Sequence, residues 1–175
     1  MMRLFIAINF DEETKDRIVA VQERLHLTAG GNFSHRENLH LTLAFLGELD
    51  NARAETVCRI MKTLDVPEME LEFSEVGCFR RDRGDIWWIG IKKHPQLFSL
   101  QKELTDKLRR FGFDIEERRF TPHITLCRET ISAGRIEKDE LLPQKFTAKV
   151  SSVQLMLSQR INGRLTYTPK FSVSK

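Results

Sequence analysis

Apolar residues follow two rhythms along the chain, a period near two in some stretches and near 3.6 in others, and the switches between them mark the elements. The apolar run from Leu4 to Phe10 reads as a first strand. Asp11 then offers an N-cap, Glu12 and Glu13 complement the positive end of a helix dipole, and Ile18, Val21 and Leu25 recur at helical spacing to about Leu27. Gly30-Gly31-Asn32 is expected to end that helix and open a loop. Leu39 to Leu46, closed by Gly47, reads as a second strand. Asp50 can cap a second helix whose buried stripe is Val57, Ile60, Met61 and Leu64, with Pro67 just beyond its end.

From Glu68 to Phe79 the pattern alternates again, and Arg81-Asp82-Arg83-Gly84-Asp85 is a polar turn leading back through Ile86 to Ile91, which predicts a hairpin. Trp87 and Trp88 are adjacent on that strand and must face opposite ways, so only one can be core. The other is a stacking surface or an inter-lobe contact. His94-Pro95 begins a third helix with Leu97, Leu100, Leu104 and Leu108 as its stripe and Gly112 past its end. A strand over Phe120 to Arg128 follows, and then a mostly polar connection, Thr130 to Pro143, with room for a short helical turn. Phe146 to Leu157 and Arg164 to Val173 read as two strands around Asn162-Gly163, a hairpin turn signal.

His40-Leu41-Thr42-Leu43 occurs again as His123-Ile124-Thr125-Leu126, an offset of 83 residues. Carried backwards without a gap, that offset pairs Ile6-Ala7-Ile8 with Ile89-Gly90-Ile91, Val21 with Leu104, Leu25 with Leu108 and Arg36 with Arg119. The repeated units span about 3–47 and 86–130. Such a period is too long for a solenoid repeat of roughly 20–50 residues and points to two similar lobes facing one another. Either half of a 175-residue chain would be marginal alone, so the lobes are expected to fold as a single bilobal domain over residues 1–175.

Composition narrows the picture only a little. Hydrophobic residues at 41% and charged residues at 30% describe an ordinary soluble chain, and no apolar run approaches the roughly 20 residues of a membrane span. The N-terminus lacks a small-residue cleavage site, so it reads as a strand and not a signal peptide. Three cysteines, Cys58, Cys78 and Cys127, are odd in number and form no close pair, which argues for a reducing cytoplasm. A net charge of +3 is too weak to declare a nucleic-acid protein. Its arrangement says more: Arg80, Arg81 and Arg83 cluster, as do Arg109-Arg110 and Arg118-Arg119, as solvated surface or as a local field for polyanions.

On a strand, His40 and Thr42 share one face and Leu41 and Leu43 the other, so one face is chemistry and the other core. Two such strands on facing lobes would bring two imidazoles and two hydroxyls to a common cleft. An unperturbed imidazole titrates near 6.5, so one His can take a proton while the other gives one. Hydroxyl donors suit phosphate oxygens. The set fits in-line attack on a phosphodiester without a metal. A zinc site would need a third ligand at motif spacing, and no nucleophile elbow is present. Cys127, two positions after Thr125, could share that face, although packing is its expected role.

The stretches His40-Leu41-Thr42-Leu43 with Phe45-Leu46-Gly47-Glu48, and Phe120-Thr121-Pro122-His123-Ile124-Thr125-Leu126 with Arg128, resemble the two signature motifs of the 2H phosphoesterase superfamily. Within it the chain is most similar to the RNA 2′,3′-cyclic phosphodiesterases, once described as 2′-5′ RNA ligases, from the Met2 to Phe10 opening to the Tyr167 region. The resemblance implies a bilobal α+β fold with two pseudo-symmetric antiparallel sheets, helices outside and a central cleft. It implies hydrolysis of RNA terminal 2′,3′-cyclic phosphates to 2′-phosphates with no metal or other cofactor, with reversible 2′-5′ ligation as a further capacity. By analogy His40 is the proton donor and His123 the proton acceptor, while Thr42, Thr125 and Arg128 bind phosphate and Phe45 contacts the base. The repeat itself leaves the two histidine roles symmetric.

Arg128 and Phe45 each lie five positions after a His, which strict alternation places on the opposite face; a bulge after each Thr would turn the chain back. Phe45 is otherwise core, and Tyr167 is a cleft residue or simply packed. Arg118 and Arg119 are expected to face solvent or steer RNA. The implied partners are RNA ends or nucleotides bearing a 2′,3′-cyclic phosphate, with no membrane, and the expected state is a cytoplasmic monomer. Two alternatives stand beside this: a non-catalytic module that holds RNA ends, and a phosphodiesterase for a cyclic-phosphate nucleotide metabolite or 2′-5′-linked RNA.

Overall fold

In the computed structural model, which describes all residues 1–175, the strands divide between two antiparallel sheets. The elements in order are β1 (Met2–Asn9), α1 (Glu12–His26), β2 (Ala29–Phe33), a 3-10 turn (Arg36–Asn38), β3 (His40–Leu49), α2 (Asn51–Lys62), β4 (Met69–Phe79) and β5 (Asp85–Ile91). They continue with α3 (Pro95–Arg110), β6 (His123–Ser132), α4 (Lys138–Leu141), β7 (Phe146–Val150), β8 (Ser152–Ile161) and β9 (Arg164–Ser174). One sheet runs β3-β1-β8-β9 and the other β2-β6-β5-β4-β7. The fold is the expected bilobal α+β arrangement.

Local signals start the helices where the sequence predicts. The Asp11 carboxylate accepts from the Thr14 N–H at 2.8 Å, and the Asp50 carboxylate accepts from the Arg53 N–H at 2.8 Å. The hairpin between β8 and β9 turns through Asn162 (φ 52°) and Gly163 (φ 77°), the two left-handed residues of a tight turn matched to strand twist.

Packing crosses the two halves of the chain. Helix α1 lies on β2 and β6 of the five-stranded sheet, whereas α3 lies on β3 of the four-stranded one. Two glutamines convert the crossing into hydrogen bonds. Gln22 on α1 donates to the Leu126 carbonyl of β6 and to the Ser34 carbonyl, each at 2.9 Å. Gln101 on α3 donates to the Leu43 carbonyl of β3 at 3.4 Å. Each helix therefore covers the His-x-Thr strand of the other half, and the stretches offset by 83 residues interlock.

Two expectations need correction. Gly30-Gly31-Asn32 is not a loop: Ala29–Phe33 is a strand, pairing Ala29 with Ser132 and Phe33 with Cys127. Its glycines give it no strand propensity of its own, and its conformation comes from the neighbour it pairs with. The run Phe146 to Leu157 is not one strand but two that break at Ser151 and join different sheets. The sign is a slipped alternation, with Phe146, Ala148 and Val150 buried and then Val153 and Leu155. A one-residue slip moves every following side chain to the other face.

One cluster of 40 buried apolar residues runs through both sheets and the long helices, from Leu4 to Leu155. A small second cluster, Phe5, Ala7 and Met156 with Tyr167 against it, lies on the other face of β1. Both faces of β1 are thus covered, which is why its sequence is a continuous apolar run instead of an alternating one. Trp87 belongs to the main core. Trp88 faces the opposite way, and its indole lies across the sheet so closely that a Cβ at Gly77 would come within 2.2 Å of the ring, and one at Gly90 within 2.8 Å.

Gly77→Ala is expected to cost about 1–3 kcal/mol by overpacking against Trp88. Gly30→Ala, where a Cβ meets nothing within 4 Å, is expected to stay within about 0.5 kcal/mol of the parent. Urea denaturation of the two variants checks the contrast; equal costs would remove Trp88 as the reason for Gly77.

Candidate active site

The sheets approach one another where β3 lies beside β6, and each of these strands begins with a histidine. In β3, Thr42 pairs with Ala7 and Ala44 with Ile6, so Leu43 is an extra residue; in β6, Thr125 pairs with Trp88 and Cys127 with Trp87, so Leu126 is extra. Each strand therefore carries a bulge directly after its threonine, at positions 83 residues apart. Leu43 and Ala44 both turn into the core, as do Leu126 and Cys127. The next residues, Phe45 and Arg128, come back to the histidine face. Cys127 does not share the face of Thr125; it is fully buried, and burial pushes its thiol pKa up.

The segment around Arg128 is clamped from three sides. The Leu126 carbonyl at the bulge accepts from Gln22 at 2.9 Å and from the Ser34 N–H at 3.0 Å. Glu129 sits in the left-handed region at φ 51°. Gly84, at φ 109°, abuts it so closely that a Cβ there would lie 2.6 Å from the Glu129 carbonyl carbon. Across from it, a Cβ at Gly31 would lie 2.8 Å from the Arg128 carbonyl oxygen. Arg128 itself is exposed.

The two imidazoles are held alike on one edge and differently on the other. His40 donates from Nδ1 to the Asn38 carbonyl at 2.6 Å, and His123 donates from Nδ1 to the Thr121 carbonyl at 2.6 Å. A carbonyl only accepts, so in both rings Nδ1 carries the hydrogen and Nε2 is left for chemistry. Nε2 of His40 lies 2.9 Å from the Thr42 hydroxyl. Nε2 of His123 has no protein partner. His40 packs against Phe5 at 4.9 Å and Tyr167 at 5.2 Å, and His123 against Phe79 at 5.1 Å and Trp88 at 5.9 Å. Thr42 and Thr125 share the faces of their histidines, and Phe45 is 58% exposed beside Phe5.

Several contributors were not singled out from sequence. Asn38 supplies the carbonyl behind His40, and its side chain donates to the Leu165 carbonyl at 2.8 Å and accepts from the Tyr167 N–H at 3.3 Å, fastening β9 to the site. Asn38 and Thr121 stand two residues before each histidine and are related by the same offset. That spacing was readable, but the group they offer is a backbone carbonyl, which any residue has. Phe5, Phe79 and Gln22 carry no motif at all.

A family model described as LigT-like phosphoesterase matches residues 8–88 and, a second time, residues 89–167. The chain belongs to this family. A Thermotoga maritima protein named RNA 2′,3′-cyclic phosphodiesterase is 35% identical over 143 residues, 78% of this chain and 75% of that protein. An Escherichia coli protein of the same name is 30% identical over 168 residues, 95% of this chain and 93% of that one. The crystal structure of E. coli LigT complexed with 3′-AMP superposes with a TM-score of 0.85 at 28% identity, covering 99% of this chain and 97% of that one. The 2H resemblance of the paired motifs agrees with all of these.

Charge in this LigT-like cleft is set by burial. His40 is pushed down to about 4, first by burial and then by the positive charges of Arg128 and His123, against the opposing pull of the Asn38 carbonyl. His123 is also lowered, by burial first and by Arg118 and Arg128, with the Thr121 carbonyl opposing. Both rings are neutral near pH 7, beside an arginine cation. An anion bound between them would oppose the arginine charge and favour the protonated rings. No three His, Cys, Asp or Glu side chains converge to hold a metal ion.

Because His40 titrates lower folded than unfolded, the unfolded chain binds more protons between about pH 6.5 and about pH 4, and stability falls as pH falls through that window. The contribution of His40 is roughly 3 kcal/mol at the acid end. His40→Asn, which keeps a donor for the Asn38 carbonyl, is expected to flatten this dependence in chemical denaturation; an unchanged slope would place the acid sensitivity elsewhere.

Proposed function

We propose that the chain hydrolyses RNA terminal 2′,3′-cyclic phosphates to 2′-phosphates by metal-independent acid–base catalysis at His40 and His123. The observation that carries this reading is the pairing of two imidazoles with Nδ1 committed to backbone carbonyls, so that Nε2 of each is the nitrogen available for chemistry, with a threonine on the same face of each strand. The names of its relatives support the substrate class, and the 3′-AMP complex of E. coli LigT supports nucleotide binding in this fold.

In the reaction, Nε2 of His123 takes a proton from water as the water oxygen attacks phosphorus. The P–O3′ bond breaks, and Nε2–H of His40 gives its proton to O3′. The product carries a 2′-phosphate and a free 3′-hydroxyl. Thr42, Thr125 and Arg128 hold the phosphate oxygens, and the exposed ring of Phe45 takes the base. The asymmetry of the two rings supports this hand, since Nε2 of His123 is free to meet a water whereas Nε2 of His40 is engaged by Thr42. His40 needs a proton that burial disfavours, and the substrate's own negative charge supplies the compensation. A ribose 5′-hydroxyl in place of water would make a 2′-5′ linkage.

No helix is long and apolar enough to cross a membrane. We place the protein in the cytoplasm on its three free thiols, as a monomer whose residues 1–175 fold as one bilobal unit.

Incubation with a nucleoside 2′,3′-cyclic phosphate should yield the nucleoside 2′-phosphate, unaffected by chelator. His40→Ala and His123→Ala should each lower kcat by at least about 10²-fold while the fold is kept. Turnover retained in either variant would overturn the two-histidine mechanism, and tight binding without turnover in the parent would make the chain a holder of RNA ends.

The pH dependence of kcat/KM should be bell-shaped and centred below 6.5, because both rings are lowered in the free enzyme. The kcat profile should lie at higher pH, since the bound anion raises them. Coincident profiles would contradict the anion's role.

A further inference from the structure

We propose that Arg81 binds a second phosphate, the phosphodiester joining the cyclic-phosphate nucleotide to its neighbour, so that the cleft takes the end of an RNA strand in preference to a lone nucleotide. This rests on the reading above and extends it from the terminal nucleotide to the next one.

An arginine at a hairpin tip is by default a solvated side chain. Arg83 and Arg119 fit that description, being exposed. The turn between β4 and β5 treats its first two arginines differently. Arg80 donates to Asp85 Oδ2 at 2.6 Å and is neutralised. The guanidinium of Arg81 has no carboxylate partner. Its N–H donates to Asp85 Oδ1 at 3.2 Å, its guanidinium donates to the Arg80 carbonyl at 2.8 Å, and the guanidinium carbon stands 5.7 Å over the ring of Phe79. It is therefore held over one surface with its charge unspent.

That surface belongs to the cleft. Phe79 lies 5.1 Å edge-on to His123 and 5.2 Å from Trp88, which floors the site. Phe79 is thus in contact with both the catalytic imidazole and the arginine, which links Arg81 to the cleft through a single ring. The hairpin is also rigidly registered to the phosphate site, because Gly84 of the same turn is pressed onto Glu129, the neighbour of Arg128. Arg81 and Arg128 are consequently two unpaired guanidinium groups carried on backbone segments locked to each other. Two such cations suit consecutive phosphates of a single strand. A lone cyclic nucleotide has only the first.

The test compares a nucleoside 2′,3′-cyclic phosphate with a trinucleotide ending in the same group, using the parent, Arg81→Ala and Arg81→Lys. Arg81→Ala should raise KM for the trinucleotide by about three- to tenfold and reduce the salt slope of kcat/KM by about one unit. Arg81→Lys should recover part of the loss, and the mononucleotide should be unaffected. Equal changes on both substrates, or none on the trinucleotide, would overturn the proposal. Binding of a trinucleotide 2′-phosphate, measured in parallel, reads the Arg81 contribution even if the parent hydrolyses neither substrate; that last result would sink the hydrolase reading alone.

Discussion

Each His-x-Thr strand depends on a helix from the other half of the chain. The bulge after Thr125 leaves the Leu126 carbonyl out of the regular ladder, and Gln22 and the Ser34 N–H satisfy it. Its counterpart at Leu43 receives Gln101. A bulge that left such a carbonyl buried and unpaired would cost about 1–3 kcal/mol, so these donors are part of what allows the strand to kink there. The kink then decides the site. Without it, the residue five places after each histidine would lie in the core, and Arg128 would have no access to the cleft.

The cleft is also a solution to an electrostatic problem. Two imidazoles near each other and near a guanidinium cannot all be charged, and burial raises the cost of charging either ring. Neutral histidines beside one fixed cation are the result. In the proposed reaction the negative charge of the substrate phosphate is what makes protonated imidazole favourable again. The backbone carbonyls of Asn38 and Thr121 fix the tautomer in both rings, so the nitrogen that meets substrate is the same whichever way the proton moves.

Aromatic rings wall the cleft on both sheets, and small residues make room for them. Ala7 lies opposite Thr42, and Gly77 and Gly90 lie under Trp88. Phe5, Phe45 and Tyr167 gather on the side of His40, Phe79 and Trp88 on the side of His123. The walls cover the inner edges of the imidazoles, leaving Nε2 of His123 without a protein partner and Nε2 of His40 against the Thr42 hydroxyl. That is the arrangement an acid–base pair needs if its pKa values are to respond to the ligand more than to bulk solvent.

Periodicity and spacing alone determined most of the elements, the two histidines and threonines, and the cleft between two related halves, because side-chain alternation and helix caps are local properties. The family resemblance added the chemistry. What the sequence could not decide depended on partners distant along the chain. The glycine-rich stretch at 29–33 became a strand only beside β6, and the run from Phe146 broke in two because its halves found different sheets. Trp87 and Trp88 were equivalent until one met the core and the other met Gly77. Arg128 turned toward His123 through a bulge paired to donors more than ninety residues earlier in the chain. Those outcomes are set by which backbone groups remain unpaired after tertiary contacts form, and that is a property of the folded whole.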